Sequence, residues 1–175
     1  SIMLFSGFAG ITILIGGLMA QYFNHHVTDS PIKYETTHAL MSFGAGIMLS
    51  AVALVLIPRG MEELNLTEMV FSFLSGSILF MILDQYLAKK GGKNAALMAM
   101  LMDFIPESIA LGALFASEQS TARLLAVFIG LQNLPEAFNS FRDLIQNGFS
   151  TKKTLMIFFG LSFVGVAGAL SGHLF

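Results

Sequence analysis

Long runs of apolar residues, separated by short polar segments, dominate the chain. Six such runs of about 20 residues match the roughly 30 Å hydrocarbon layer of a bilayer. Because a segment in lipid must satisfy its own backbone hydrogen bonds, each run is predicted to be an α-helix. The pattern predicts an all-α integral membrane protein, with a single transmembrane domain over residues 1–175. The predicted spans are Ile2–Phe23, His38–Ile57, Val70–Leu87, Ala95–Ala116, Leu124–Asp143 and Leu155–Phe175.

The composition supports lipid as the solvent of this chain. Of 175 residues, 55% are hydrophobic and 11% are charged, whereas about a quarter of the residues of a soluble domain are charged. The absence of cysteine excludes disulfides and thiolate ligands, so a metal would be bound by oxygen, imidazole or thioether groups. No basic run suited to nucleic acid is present. The expected partners are divalent cations and membrane lipid, and a homodimer is left open.

Lys and Arg are distributed unevenly between the two ends of the predicted bundle. When the loops are assigned alternately to two sides, seven of the nine basic residues fall on one side, and Arg59 and Arg123 fall on the other. The positive-inside bias then places the loops after spans one, three and five in the cytoplasm. We therefore expect a protein of the plasma membrane or of a bacterial inner membrane, with its N-terminus outside.

Spans four and five each contain a Pro-Glu motif near the middle. The segments DFIPES (103–108) and QNLPEA (132–137) share the same frame, a polar residue followed four positions later by Glu. Residues four positions apart lie on one face of a helix. Two such faces on neighbouring antiparallel helices can meet at one membrane depth. Four oxygen-bearing side chains are therefore expected to converge: Asp103, Glu107, Gln132 and Glu136.

Carboxylates at the bilayer centre need compensation, because each ionised group costs at least about 2.5–3.5 kcal/mol on insertion scales. A divalent cation would offset this cost. Two alternatives stay open: the carboxylates are protonated and hydrogen-bonded to neighbouring helices, or they form a proton relay. Pro106 and Pro135 each lack a backbone N–H, so the carbonyls of Met102 and Leu131 are predicted to be free. Such interrupted helices often line transporter binding sites.

The two motifs resemble the HNxPEG and QNxPEG signatures in the fourth and fifth helices of the ZIP (Zrt/Irt-like protein) metal transporters. The second motif, QNLPEA, is the closer of the two to its family signature. Elsewhere, FGAGIML (43–49) followed by Pro58 is similar to the second ZIP helix, and Leu83-Asp84 to the end of the third. The resemblance implies transport of divalent cations and a fold of eight helices with inverted repeats. The chain would contain the first six of these helices and lack the last two.

The resemblance also implies a metal site, with each ligand carried over by position. Asp103 stands where the family has His, and Phe104 stands where it has Asn. A Glu that the family often supplies from helix six has no counterpart, so one site is expected and not two. An all-oxygen site relaxes a preference for zinc toward manganese or iron, although zinc is favoured by the family. The expected metal ligands are Asp103, Glu107, Gln132, Asn133 and Glu136.

Two other classes of function are weighed against transport. A non-transporting ZIP-like protein that binds or senses metal is suggested by the loss of the second-site ligands. An intramembrane hydrolase is weaker, because neither a nucleophile nor an activating histidine accompanies the Pro-Glu motifs, and we do not expect an enzyme. His25 and His26 are interpreted as loop residues, and Met98 and Met102 as packing residues.

Overall fold

A computed structural model describes residues 2–28, 30–90 and 95–174, and these residues are helical almost throughout, without a strand among them. The predicted all-α class is confirmed. A π-helical turn, Val52–Leu56, joins the second and third helices into one continuous rod. The α-helices are α1 (Ile2–His26), α2 (Pro31–Ala51), α3 (Ile57–Glu63), α4 (Leu66–Lys90), α5 (Ala95–Ser117), α6 (Gln119–Gln146) and α7 (Thr151–Leu174).

Five helical segments among the described residues are long and apolar enough to cross a membrane, which indicates a membrane protein. They are α1, the rod formed by α2 and α3, α4, α5 and α7. The 28-residue helix α6 corresponds to the predicted fifth span, but it is not one of the five. It carries charged residues along much of its length, including Glu136, Arg142 and Asp143. The count of six spans, and their resemblance to a ZIP bundle, therefore stay predictions.

Local capping signals extend the helices beyond the apolar runs. The helix α2 begins at Pro31 because the Ser30 hydroxyl accepts a 3.2 Å hydrogen bond from a backbone N–H in its first turn. Before α4, Asn65 and Glu68 exchange bonds of 3.0 and 3.1 Å between side chain and backbone. Gly148 ends α6 with a φ of 88°, a conformation that glycine adopts without steric cost. The helices are consequently longer than the predicted spans.

The most polar long helix lies at the centre of the bundle. The helix α6 packs against α1, α2 and α5, and α7 closes the bundle against α1 and α5. Phe104, Phe141 and Phe158 are among the largest fully buried side chains in the core. In contrast, α4 packs only lightly against α3 and α5, and none of its described side chains is buried. Many large apolar side chains are exposed on the outer surface, as expected where lipid is the solvent.

Two contacts show which connections lie at the same end of the bundle. Arg59 lies within 3.9 Å of Glu118, so the end of α3 and the connection between α5 and α6 share one end. Arg142 donates a 2.9 Å hydrogen bond to Thr37, so the end of α6 and the first turns of α2 share the other. This arrangement agrees with the alternate assignment of successive loops to the two sides of the membrane, which was used above to sort the basic residues. Which end faces the cytoplasm stays a prediction.

Candidate functional site

Both Pro-Glu motifs lie within uninterrupted helices, contrary to the expectation of broken backbone. The helix α5 continues through Pro106, and α6 continues through Pro135. Each proline still removes one N–H, so the carbonyls of Met102 and Leu131 lose that helical partner. Pro135 also forms a packing surface: a Cβ atom added at Gly44 of α2 would lie 2.7 Å from its Cγ atom. The prolines therefore shape the contact between neighbouring helices without breaking the helices themselves.

One direct hydrogen bond joins the two motifs. The side-chain nitrogen Nε2 of Gln132 donates to Oε1 of Glu107 across a distance of 2.5 Å, from α6 to α5. Gln132 is almost completely buried, with 1% of its surface exposed. The remaining oxygens, Oε2 of Glu107 and Oε1 of Gln132, have no partner among the described residues. A buried polar atom without a partner costs about 1–3 kcal/mol, so these oxygens favour a bound ligand or proton at this point.

A cavity of about 320 Å³ lies between α2, α5 and α6. Three of the five predicted ligands line it: Asp103 from α5, and Gln132 and Glu136 from α6. The cavity is large enough for a cation that keeps several water molecules. Its other lining residues include the polar side chains of Asn139, Ser140 and Asp143 and the thioethers of Met41, Met48 and Met100.

The other two predicted ligands do not line this cavity. Asn133 is directed toward α1, where its Nδ2 atom donates a 2.7 Å hydrogen bond to the carbonyl oxygen of Ala9. Glu107 reaches Gln132 without lining the cavity. Within the described ranges, no three side chains of His, Asp or Glu form a group that could hold a metal ion. The structure thus brings the two motifs together without forming a closed cage, and the five residues stay predicted ligands.

No ion pair joins Asp103, Glu107 or Glu136 to a basic side chain among the residues that the structure describes. Asp103 and Glu107 are close enough to Glu136 to interact with it electrostatically. Arg59, near the end of α3, forms ion pairs with Glu62, Glu63 and Glu118. A partly buried group of like charges is unstable unless it gains protons or a counter-charge. The arrangement can therefore hold a divalent cation or share protons.

A polar stripe on α6 extends the site beyond the residues found from sequence. The side chains of Gln132, Glu136, Asn139 and Asp143 follow one another at spacings of four, three and four residues, and all four line the cavity. This spacing keeps them on one helix face. Ser140 lines the cavity beside them. The signal was present in the sequence, because helical periodicity continues past the Pro-Glu motif.

The apolar helices indicate a membrane protein, and the cavity between α2, α5 and α6 carries the acidic side chains of Asp103, Glu136 and Asp143. No protein-family model, curated protein or solved structure gives a significant match to this chain. Membership of the ZIP family stays a prediction from the two Pro-Glu motifs.

Proposed function

We propose that this protein transports divalent metal cations across a membrane through the cavity between α2, α5 and α6. The observation that carries the proposal is the placement of Asp103, Gln132 and Glu136 on the walls of one cavity between the helices, in a bundle with an apolar outer surface. The resemblance to ZIP transporters favours zinc as the transported ion, with iron or manganese as alternatives. An N-terminus outside the cell belongs to the same proposal.

Each side chain would replace part of the hydration shell of the ion. Asp103 and Glu136 supply two negative charges, which balance a divalent cation and remove the cost of unpaired carboxylates in lipid. Glu107 accepts the hydrogen bond from Nε2 of Gln132 and thereby fixes the orientation of the amide. The unpartnered Oε1 atom of Gln132 is then left as a neutral ligand. An incomplete set of ligands suits transport, because the ion must be able to leave.

The cavity also offers softer ligands than the carboxylates. Met41 and Met48 of α2 and Met100 of α5 line it together with Asp103 and Glu136. Carboxylate oxygens prefer hard ions, and thioether sulfur prefers soft ions. Zinc lies between these extremes and accepts carboxylate ligands. The mixed lining is therefore compatible with zinc as the favoured cargo.

The test is metal uptake into proteoliposomes that contain the purified full chain. Glu136→Gln keeps the size of the side chain and removes one of the two charges of the proposed transport site, so we expect uptake of zinc and manganese to fall at least about tenfold. The matched control is Asp84→Asn, which removes an exposed carboxylate on α4. Uptake by E136Q at the rate of D84N would refute the proposed site.

The second candidate is a membrane protein that binds or senses metal without transporting it. The contact between Asn133 and the Ala9 carbonyl favours it, because this bond directs a predicted ligand away from the cavity. The same liposomes separate the two functions. Metal binding that depends on Glu136, together with flux no greater than that of empty liposomes, would support the second function.

A further inference from the structure

The cavity continues along α6 past the predicted ligands. Asn139, Ser140 and Asp143 line it together with Glu136. Seven residues separate Glu136 from Asp143, which corresponds to a rise of about 10 Å along an α-helix. An ion at Asp143 would therefore be distinct from an ion held at Glu136. The end of the stripe lies near Thr37, at the end of the bundle that the basic residues predict to be cytoplasmic.

Ser140 is mostly buried and lines the cavity. Only 8% of the surface of this residue is exposed, and no hydrogen bond of its side chain occurs among the described residues. Buried serines elsewhere in the helices are satisfied by their own backbone: the hydroxyl of Ser108 donates a 2.7 Å bond to the carbonyl oxygen of Phe104. The hydroxyl of Ser140 makes no such bond, so it is left to water or to a ligand in the cavity that Ser140 lines.

The carboxylate of Asp143 is also available to a ligand. Asn139 donates a 3.3 Å hydrogen bond from Nδ2 to one of its two oxygens. Asp143 has no ion pair with any residue in the part of the chain that the structure describes. The neighbouring Arg142 is directed to α2, where it donates a hydrogen bond to Thr37. Arg142 interacts with Asp143 electrostatically without forming an ion pair, so the carboxylate can still accept a cation as a ligand.

We propose that Asn139, Ser140 and Asp143 form a second cation-binding position in the cavity, an inference that rests on the proposed transport function. The position offers a carboxylate, an amide oxygen and a hydroxyl, which are the ligands that hard divalent cations such as Mn²⁺ prefer. With a single charge, it binds more weakly than the position at Glu136 and completes the coordination shell with water. An ion that leaves Glu136 moves to Asp143 and is released from there.

Mn²⁺ and a spin label test the second position in the full chain, reconstituted in lipid nanodiscs. Because the chain contains no cysteine, Gln146→Cys creates a unique attachment site at the exposed end of α6. A nitroxide at residue 146 lies one turn beyond Asp143, so bound Mn²⁺ should strongly enhance its relaxation. We expect Asp143→Asn to reduce this enhancement to the smaller effect of Mn²⁺ held at Glu136, and to lower the Mn²⁺ affinity of the weaker position about tenfold. Asp84→Asn should change neither quantity.

The outcomes separate this inference from the proposed function. If E136Q stops uptake and keeps the Mn²⁺ effect at the label, both proposals stand. If D143N retains the effect and the affinity found for D84N, the second position is refuted, whereas loss of uptake in E136Q would still support the transport site. Uptake that survives E136Q refutes the transport site, and the label then tests the second position alone. Should D143N not fold, Asn139→Ala and Ser140→Ala test the same loss of affinity.

Discussion

In proteins in water, the more apolar of two helices is usually the more buried one, and the helices α4 and α6 show the opposite. The helix α4 is apolar enough to cross a membrane, yet none of its described side chains is buried. The helix α6 is more polar and is not one of the five apolar spans, yet 13 of its 28 residues are buried. In lipid, an apolar side chain gains little by leaving the solvent, whereas a polar side chain gains a partner. The polar helix therefore forms the core.

Hydrogen bonds show how α6 uses its polar residues. Its side chains reach three different neighbours: Gln132 contacts α5, Asn133 contacts α1 and Arg142 contacts α2. In contrast, Ser75 and Ser77 of α4 donate to backbone carbonyls of their own helix. Polar groups on α6 thus connect helices, whereas these two serines of α4 do not. Three pairs of substitutions, ordered from the largest expected effect to the smallest, test this difference.

The largest difference is expected for a close backbone contact at α6. A Cβ atom added at Gly16 of α1 would lie 2.5 Å from the carbonyl oxygen of Leu134 and 2.9 Å from Cβ of Ala137. Because this backbone cannot move aside freely, we expect Gly16→Val to lower the free energy of unfolding by about 3 kcal/mol or more. A Cβ atom added at Gly76 of α4 would have no neighbouring atom within 4 Å, so Gly76→Val should change the free energy of unfolding little. Thermal unfolding in detergent measures the stability of both variants. Equal stability of G16V and G76V would contradict the close contact between Gly16 and α6.

The second difference concerns the hydrogen bond between the motifs. Gln132→Leu leaves both oxygens of Glu107 without a protein partner, so we expect a loss of about 1–3 kcal/mol. Glu107→Leu in the same chain should restore most of the stability, because both polar groups are then removed. Gln85→Leu on α4 is the matched control, with an expected change within about 0.5 kcal/mol. Additive losses in the double variant would show that the two residues are not coupled.

The sequence predicts the helices well and their arrangement poorly. Apolar runs locate the five long helical segments that are apolar enough to cross a membrane, because length and hydropathy are local properties. Burial is not local: the centrality of α6 depends on which faces meet, and the bond from Asn133 to Ala9 joins residues 124 positions apart. The same limit applies to the candidate site. The motif frame indicates Asp103, Gln132 and Glu136. Helical periodicity also places Asp143 on the same face of α6, but the cavity between three helices is needed to show that this face belongs to the site.

The smallest difference is expected at the end of α6, where Thr37 connects α2 to Arg142. The Thr37 hydroxyl is buried, accepts the 2.9 Å bond from Arg142 and donates a bond of the same length to the carbonyl of Lys33. Thr37→Val keeps the shape and removes both bonds, so we expect the free energy of unfolding to fall by about 1 kcal/mol. Thr67→Val on the exposed surface of α4 should change it by less than about 0.5 kcal/mol.

Thermal unfolding of the two threonine variants side by side measures this smallest difference. A loss in T37V alone means that even a single hydroxyl near the polar end of α6 holds two helices together, because water cannot replace it where the side chain is buried. If T37V were as stable as T67V, the side chain of Arg142 would form a hydrogen bond with water in place of the Thr37 hydroxyl. The end of α6 would then be open to solvent, and its polar residues would be solvated in the manner of those on α4.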